Sequence, residues 1–292
     1  MRFTDIGQQL RAYRLESGLR AEEIAARLGV SRAALYRYEK GEVIKLDTIQ
    51  RLAELLKISP LSLLGIGVEY YNRTVAFQER QRQVEETADQ LLLLEGGLCY
   101  LITTDAFDAA LAAALSDAAD HGGGDRLPLR TSAEQVLGLL ATRKRQYALR
   151  RPNVICMMAL SGLRAVLATG IGPMLPTSDA VRAQCQAAAR GEVEALERLM
   201  RAEPMGLQLG LLPAGEPAGT FGLFRARDRA TLSINPFPPD SPAGVAGGVA
   251  MITGADEAIA AHQRVAEAHW RDALKGAAAA DMLVELLEET PG

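Results

Sequence analysis

The chain has 292 residues, 48% of them hydrophobic and 23% charged, and a formal net charge of −4. This is an ordinary soluble composition, long enough for about two domains. The most apolar run, from Val154 to Leu175, is interrupted by Arg164 and several glycines, which argues against a membrane span of about 20 residues. The N terminus lacks a basic segment followed by an apolar run, so we expect no secretory signal and a cytoplasmic location.

Charge is distributed unevenly along the chain. Residues 1–67 contain eleven Lys and Arg against eight Asp and Glu, a net charge of +3, so the remainder carries −7. A compact basic module attached to an acidic body is typical of a phosphate-binding head with a separate function behind it. We call residues 1–67 the head and residues 68–292 the body.

The head is predicted to form five short helices. Its apolar residues recur at helical spacing, and glycine, serine and proline mark the helix ends. The predicted helices are Asp5 to Ser17, Glu22 to Leu28, Ser31 to Lys40, Asp47 to Lys57 and a short one opened by Ser59-Pro60. We expect them to pack as a small bundle around their leucines.

The second and third predicted helices form the most informative stretch, Leu19 to Gly41. Gly29 and Val30 make a tight exit from one helix, and Ser31 is well placed to cap the next. The inward positions of the two helices are Ile24, Ala25, Leu28, Leu35 and Tyr38. This pattern predicts a helix-turn-helix, in which the second helix lies in the DNA major groove.

The outward face of the second of these helices carries the predicted base contacts. Because Leu35 and Tyr38 point to the core, the opposite face consists of Arg32, Ala33, Tyr36 and Arg37. Arginine can bind guanine O6 and N7 bidentately, and alanine or tyrosine can contact a thymine methyl. The alternatives are a solvated helix face for the two arginines and, for Tyr36, a cover over neighbouring core residues.

Residues Ile6 to Leu64, about a fifth of the chain, resemble the phage repressor and Cro-type (XRE-like) helix-turn-helix domain of many bacterial transcriptional regulators. The motif residues are Glu23-Ile24-Ala25, Leu28-Gly29-Val30-Ser31, Leu35, Tyr38-Glu39, Gly41, Leu52-Ala53 and Leu55-Leu56. The resemblance implies that Lys40, Lys45 and Thr48 lie nearer the phosphates. Ser31, at the start of the recognition helix, is also a candidate DNA-binding residue.

Two positions depart from the family pattern. The family often has Thr-Gln at the head of the second helix, with the glutamine on the DNA backbone, whereas Arg20 and Ala21 stand here. Arg20 is a candidate to replace that phosphate contact through its charge. Lys45 stands where a helix-capping serine is common, which leaves the start of the fourth helix open.

Residues 68–94 are predicted to form a single polar linker helix. Tyr70, Phe77, Val84 and Leu91 recur at seven-residue intervals, while the intervening positions are weak for a coiled-coil seam. We therefore expect this helix to pack against either its own effector domain or a symmetry mate.

Residues 95–292 are predicted to form a mixed effector or dimerisation domain, so the fold class is α+β with a five-helix DNA-binding bundle and a linker helix before it. The first predicted elements are a strand at 97–103, helices at 105–119 and 132–150, strands at 154–160 and 163–168, and a helix at 178–200 that Gly191 divides. Strands at 207–212, 220–225 and 231–234 follow and suggest antiparallel hairpins. The last predicted elements are a strand at 248–253 and helices at 256–274 and 278–288.

The segments LITTDAFDAAL, RKRQYALR and LQLGLLP, at 101–111, 143–150 and 207–213, resemble the poorly characterised domain that follows such heads in many bacterial regulators. The resemblance implies an effector or dimerisation module and no defined ligand. The basic residues from Arg143 to Arg151 predict either an anion or DNA contact or a solvated helix end.

No catalytic or metal-binding arrangement is predicted in the body. His262 and His269 are seven residues apart, and a helical metal pair needs a spacing of three or four. Ser161 lacks the first glycine of a GxSxG nucleophile elbow. The three cysteines, Cys99, Cys156 and Cys185, are widely spaced and are expected to be buried thiols. We therefore expect no enzyme activity, no cofactor and no metal.

Together these observations predict a homodimeric repressor that binds a double-stranded DNA operator and responds through its body to a small molecule or a protein. An alternative is an antitoxin that masks a partner protein with its body and regulates its own gene. A less favoured alternative is an enzyme with an added DNA-binding head. Copurification with a second protein would favour the antitoxin, and turnover abolished by a substitution in the body would favour the enzyme.

Overall fold

The computed structural model describes residues 3–121, 126–172, 175–213, 219–237 and 248–290. The fold class is α+β, as predicted, with an N-terminal helical region and a seven-stranded sheet behind it. The sequence predicts a loop over residues 121–125, but His121 belongs to the preceding helix, and residues 122–125 lie outside the described residues. In the described part of the chain, none of the helices combines the length and the apolar character that crossing a membrane requires.

The head contains the five predicted helices, at α1 (Phe3–Ser17), α2 (Ala21–Leu28), α3 (Arg32–Glu39), α4 (Leu46–Leu56) and α5 (Pro60–Leu63). Each contributes a fully buried aliphatic side chain, and these are Leu10, Ile24, Leu35, Leu52 and Leu63. The predicted apolar stripes therefore meet in one core. Ser59 caps α5 by accepting a hydrogen bond from the Ser62 N–H at 2.9 Å, with Pro60 in the first helical position.

The body is organised around a mixed sheet. Its strands are β1 (Val68–Tyr71), β2 (Gln90–Glu95), β3 (Asn153–Ala159), β4 (Leu207–Leu212), β5 (Phe221–Arg225), β6 (Ala230–Ile234) and β7 (Ala250–Thr253). Their order across the sheet is β1-β7-β6-β5-β2-β3-β4. The pairs β2–β3 and β3–β4 are parallel, and the others are antiparallel. β2 therefore has a parallel neighbour on one side and an antiparallel neighbour on the other.

Helices cover both faces of the sheet. They are α6 (Thr74–Thr87), α7 (Asp105–His121), α8 (Arg126–Arg150), α9 (Leu160–Thr169), α10 (Asp179–Ala202), α11 (Asp256–Asp272) and α12 (Gly276–Glu289). Leu91 and Leu93 belong to the core that continues into the head, whereas Leu92 and Leu94 belong to a second core closed by α11. This alternation explains how four consecutive leucines are all buried in one central strand.

The predicted linker helix over 68–94 is wrong, because those residues form β1, α6 and β2. Tyr70 and Leu91, which began and ended the seven-residue pattern, lie in strands. The chain after Gly65 and Gly67 is also bound to the head. The Glu16 carboxylate of α1 accepts hydrogen bonds from the backbone N–H groups of Asn72 and Arg73, at 2.9 and 3.0 Å.

Four further predictions in the body are corrected. The predicted strand at 97–103 contains a 3₁₀ turn at Tyr100–Ile102, and the one at 163–168 lies inside α9. Gly191 does not divide α10, which is continuous. β4 pairs in parallel with β3 instead of forming a hairpin with β5. The remaining predicted helices and strands are present with shifts of at most two residues at their ends, except that α8 begins six residues before its predicted start. All three cysteines are buried as expected.

Helix α6 joins the head to the body through buried polar side chains. Toward the head, Gln83 donates a hydrogen bond to the Gln8 carbonyl at 3.2 Å, and Glu79 pairs with Arg11 at 3.0 Å. Toward the sheet, Gln81 accepts a hydrogen bond from the Ser233 hydroxyl at 2.8 Å. The two parts therefore share directional contacts as well as one hydrophobic core.

Candidate nucleic-acid interface

Helix α3 is fixed against α1 by a nearly buried ion pair. The Arg14 guanidinium holds both carboxylate oxygens of Glu39, with Nε–Oε1 and Nη2–Oε2 distances of 2.5 and 3.1 Å. The exposed fractions of the two side chains are only 14% and 4%. Gly7 lets the two helices approach closely, since a Cβ at this position would clash with the Tyr38 and Glu39 carbonyl groups at the end of α3.

The turn between α2 and α3 has the predicted form. Gly29 has a φ of 71°, which is left-handed backbone that glycine tolerates, and it ends α2. The Ser31 hydroxyl accepts a hydrogen bond from the Ala34 N–H at 3.1 Å. Ser31 therefore caps α3. Because it is also exposed, it is accessible at the proposed interface.

The recognition face, which we define as Arg32, Ala33, Tyr36 and Arg37, is exposed. Leu35 is fully buried on the opposite side of α3. Tyr36 is 36% exposed, so it does not serve as a buried cover over the core. Helix packing thus leaves all four predicted base-contacting residues accessible at once.

Arg32 is held by partners on its own helix and on α2. Its Nη1 lies 2.8 Å from Oε1 of Glu22, and its Nη2 donates to the Tyr36 hydroxyl at 3.2 Å. The Arg32 guanidinium carbon also lies 5.3 Å from the centre of the Tyr36 ring. The Tyr36 hydrogen bond and the Glu22 charge raise the pKa of Arg32 above its ordinary value, so this side chain presents a fixed positive charge.

Arg37 makes an exposed ion pair with Glu42, whose Oε2 lies 2.7 Å from the arginine Nε. The two side chains are 63% and 47% exposed, so water and salt screen their attraction. A guanine or a phosphate can replace the carboxylate at small cost. Glu22 and Glu42 therefore orient the two arginines while no DNA is bound.

We expect Glu42→Gln to increase DNA affinity by up to about fivefold, because an exposed ion pair contributes roughly 0–1 kcal/mol and its acid also repels phosphate. Glu54→Gln is the matched control, since it removes the same charge from an exposed position on α4. Fluorescence anisotropy with a labelled duplex measures both. An equal gain for the two variants would indicate a general charge effect without release of Arg37.

The remaining candidate residues lie on the ends of neighbouring helices. Arg20, Lys40 and Lys45 are exposed, and Thr48 is partly buried. Arg20 precedes α2, and its backbone N–H donates to the Glu23 carboxylate at 2.8 Å. The Arg20 side chain itself makes no capping hydrogen bond. Lys45 precedes α4 and makes no side-chain cap, consistent with the absence of the usual serine.

Two features of the head escaped the sequence analysis. Val43 and Leu46 are 63% and 75% exposed on either side of Lys45, although both are large and apolar. The sequence signal for their exposure was their position outside the helical repeats of apolar residues. The Arg14–Glu39 pair was also missed, because Glu39 was visible only as a motif residue.

The basic residues at the end of α8 do not form one basic surface. Arg143 is buried in an ion pair with Glu85, and Lys144 contacts Asp108 at 2.6 Å. Arg150 contacts Asp89 at 3.3 Å. Only the last residues of this segment form the predicted solvated helix end. Arg143 fits neither predicted alternative, since it is neither solvated nor free to contact an anion or DNA.

Comparison with known proteins identifies a domain in the same part of the chain. A family model described as a helix-turn-helix domain matches residues 5–63. The N-terminal region is a helix-turn-helix domain. This match covers the five helices of the head and includes every candidate DNA-binding residue. Assignment to the phage repressor and Cro type stays a prediction.

No curated protein matches the chain. Among solved structures, an archaeal chromatin protein, TrmBL2, described as showing a novel mode of DNA binding, is similar over 92% of this chain and 93% of its own. The identity is 10% and the TM-score is 0.34. A similarity at this level supports no conclusion about function.

The described residues contain no group of three or more His, Cys, Asp or Glu side chains placed to hold a metal ion. His262 Nδ1 donates a hydrogen bond to the Ala258 carbonyl at 2.8 Å, and its ring packs edge-on against Phe221, with ring centres 4.8 Å apart. These contacts give His262 a structural role beside the second core.

Proposed function

We propose that this protein is a sequence-specific transcription regulator that binds operator DNA as a homodimeric repressor and responds to a ligand or partner through its body. The observation that carries the proposal is the recognition face, on which Arg32, Tyr36 and Arg37 are exposed together on the second helix of a helix-turn-helix domain. The presence of that domain supports DNA binding, while the dimer, the repression and the response are our inferences.

In this proposal α3 enters the major groove with its N-terminal half against the base edges. Arg32 and Arg37 exchange their contacts with Glu22 and Glu42 for guanine O6 and N7, while Ala33 and Tyr36 contact thymine methyl groups. In each exchange two hydrogen-bond acceptors of the base take the place of the carboxylate, so neither arginine is left desolvated and unpaired.

The residues around α3 would set its register on the duplex. Lys40, Lys45 and Arg20 are exposed and would neutralise phosphates, and Thr48 and Ser31 would contribute hydroxyl groups. Phosphate contacts fix position and orientation but carry no sequence information directly. The order of events is thus electrostatic approach, alignment by phosphates and then reading by α3.

A second copy of the chain is part of the proposal because one head carries a net charge of only +3. A single helix-turn-helix reads a short half-site, and two heads on half-sites about one helical turn apart bind with avidity. Repression would then follow from occupation of a promoter. The body would control affinity by changing the spacing or angle of the heads, without a catalytic residue.

A footprint of the full-length protein on DNA upstream of its own gene tests this function. We expect protection of two half-sites, with sedimentation of the free protein at twice the chain mass of 31.3 kDa. Uniform coating without a protected window would contradict sequence-specific binding. A monomer in both the free and the bound state would contradict the dimer.

A further inference from the structure

A pocket of about 460 Å³ lies at the end of β2, between α6, α8 and α9. This volume is within the range of roughly 300–1,000 Å³ that small-molecule sites occupy. The pocket is bounded by apolar side chains, including Leu98, Phe107, Val166, Ile171 and Phe237. It lies at the carboxyl end of β2, between the parallel neighbour β3 and the antiparallel neighbour β5. Ligands of open α/β sheets bind outside the carboxyl ends of parallel strands, which is the position of this pocket relative to β2 and β3.

The polar side of this pocket contains one acid that lacks a partner. Glu95, the last residue of β2, makes no hydrogen bond or ion pair with any described residue. Arg143, which also lines the pocket, is already occupied. Its Nε and Nη2 contact Glu85 at 2.8 and 2.7 Å, and its Nη1 donates to Gln78 at 2.6 Å.

These contacts indicate the charge of a suitable ligand. The Arg143 charge is neutralised by Glu85, so an anion would find no free cation among the described lining residues and would meet Glu95. A cation would satisfy Glu95 in a pocket that the aromatic residues Phe107 and Phe237 also line. Burial raises the pKa of Glu95 to about 7, with Glu85 adding to this effect and Arg143 opposing it.

Helix α6 connects the pocket to the head. Gln78 lines the pocket, and the next residue, Glu79, pairs with Arg11 of α1. One turn later, Gln83 binds the Gln8 carbonyl of the same helix. Since α1 holds α3 through Arg14 and Glu39, a continuous set of direct contacts connects α6 to the recognition helix.

We propose that this pocket is the effector site and that it binds a small organic cation, an ammonium group on an apolar body, which pairs with Glu95. The regulatory consequence rests on the proposed function, whereas the binding itself does not. Binding and DNA affinity are therefore measured separately on the full chain.

The test compares three probes of one shape by isothermal titration calorimetry: 4-phenylbutylamine, the neutral 4-phenylbutanol and the anionic 4-phenylbutyrate. We expect one amine per chain, bound at least tenfold more tightly than the alcohol, with the acid weakest. Glu95→Gln should lower amine affinity at least tenfold and leave alcohol affinity unchanged. Glu194→Gln, which removes an equal charge from an exposed site on α10, is the matched control.

Absence of saturable amine binding, equal affinities for amine and alcohol, or an unchanged amine affinity in Glu95→Gln would each overturn the proposal. Val166→Trp provides a second variant, because it adds bulk at the pocket wall and leaves the Glu95 carboxylate in the chain. Binding retained in that variant would place the ligand elsewhere and would also overturn the proposal.

The amine should bind more tightly as the pH rises from 6 to 8, because Glu95 loses its proton over this range while the amine stays charged. The titratable and charged groups around Glu95 are Glu85 of α6, Tyr100, Arg143 of α8 and Cys156 of β3. The Glu95→Gln variant should show a flat pH profile. A wild-type profile equally flat would exclude Glu95 as the pairing group.

Operator affinity measured with and without saturating amine then tests the regulatory part. We expect a change of at least threefold in wild type and none in Glu95→Gln. Amine binding without any effect on operator affinity would remove the effector role, and amine binding by a protein that binds no operator would refute the proposed function while leaving the ligand site intact.

Discussion

Replacing Arg37 with alanine is expected to weaken operator binding by about 5- to 150-fold, because a bidentate arginine–guanine contact contributes roughly 1–3 kcal/mol of discrimination. The substitution should relax the preference at a single base position. Arg37 is exposed and its ion pair with Glu42 is screened, so we expect the fold to remain intact. Anisotropy titrations on operator and on random duplexes measure the effect.

Arg27→Ala is the matched control for this experiment, because Arg27 is another exposed arginine of the head, in the last turn of α2. It removes the same charge from outside the recognition face. We expect its loss of affinity to be small and similar on both duplexes. If Arg37→Ala weakened binding to random DNA as much as to operator, Arg37 would be a phosphate contact and not a reader of sequence.

Removal of Arg14 should have the largest effect on the stability of the head. Arg14→Met leaves the Glu39 carboxylate buried without its ion-pair partner, and breaking such a pair typically costs about 3–5 kcal/mol. Urea unfolding measures the free energy of unfolding. Arg51→Met, at an exposed position on α4, is the control and should change it by less than about 0.5 kcal/mol.

A second substitution separates charge from packing at this site. Glu39→Gln in the Arg14→Met background should recover part of the lost stability, because a neutral amide is less costly to bury than an unpaired carboxylate. Arg14→Met should also weaken operator binding well below its unfolding temperature, since α3 loses its contact with α1. Equal stability of Arg14→Met and Arg51→Met would show that this ion pair does not hold the recognition helix.

The helices of the head could be predicted from the sequence because they depend on local patterns. Apolar residues repeat at helical spacing, and Gly29, Ser31 and Pro60 mark helix ends within a few residues of those repeats. The contacts that fix α3 were less visible. Arg14 and Glu39 meet only after two helices dock, and nothing in the local sequence indicates that Glu39 is buried.

The body was harder to predict because its elements depend on distant partners. Helix α6 has buried polar residues such as Gln78, Gln81 and Gln83, so its sequence predicts a solvated helix. The leucines of β2 extended that apparent helix, since their burial requires neighbours from far along the chain. Val166 and the residues around it fit a buried strand and a buried helix equally well, and packing in the sheet region selects the helix.

The candidate site was also predicted only in part, because local patterns are visible in the sequence and contacts between separate elements are not. Exposure of Arg32, Tyr36 and Arg37 follows from helical spacing, and it was predicted. The pairing of Arg37 with Glu42 depends on the turn after α3, and that of Arg32 with Glu22 depends on the angle between two helices. The pocket at Glu95 could not be anticipated, because its walls come from seven separate stretches of the chain.

Selection from a random duplex pool tests the central claim most directly, because it requires no knowledge of the operator. The full-length protein and its Arg37→Ala variant are each carried through the same rounds and the enriched sequences are compared. We predict that wild type enriches two related half-sites separated by about one helical turn, each with a guanine that loses its preference in the variant. Enrichment of no common sequence by the wild-type protein, or of the same sequence with the same preference by both proteins, would contradict the assignment of α3 as the reader of the operator.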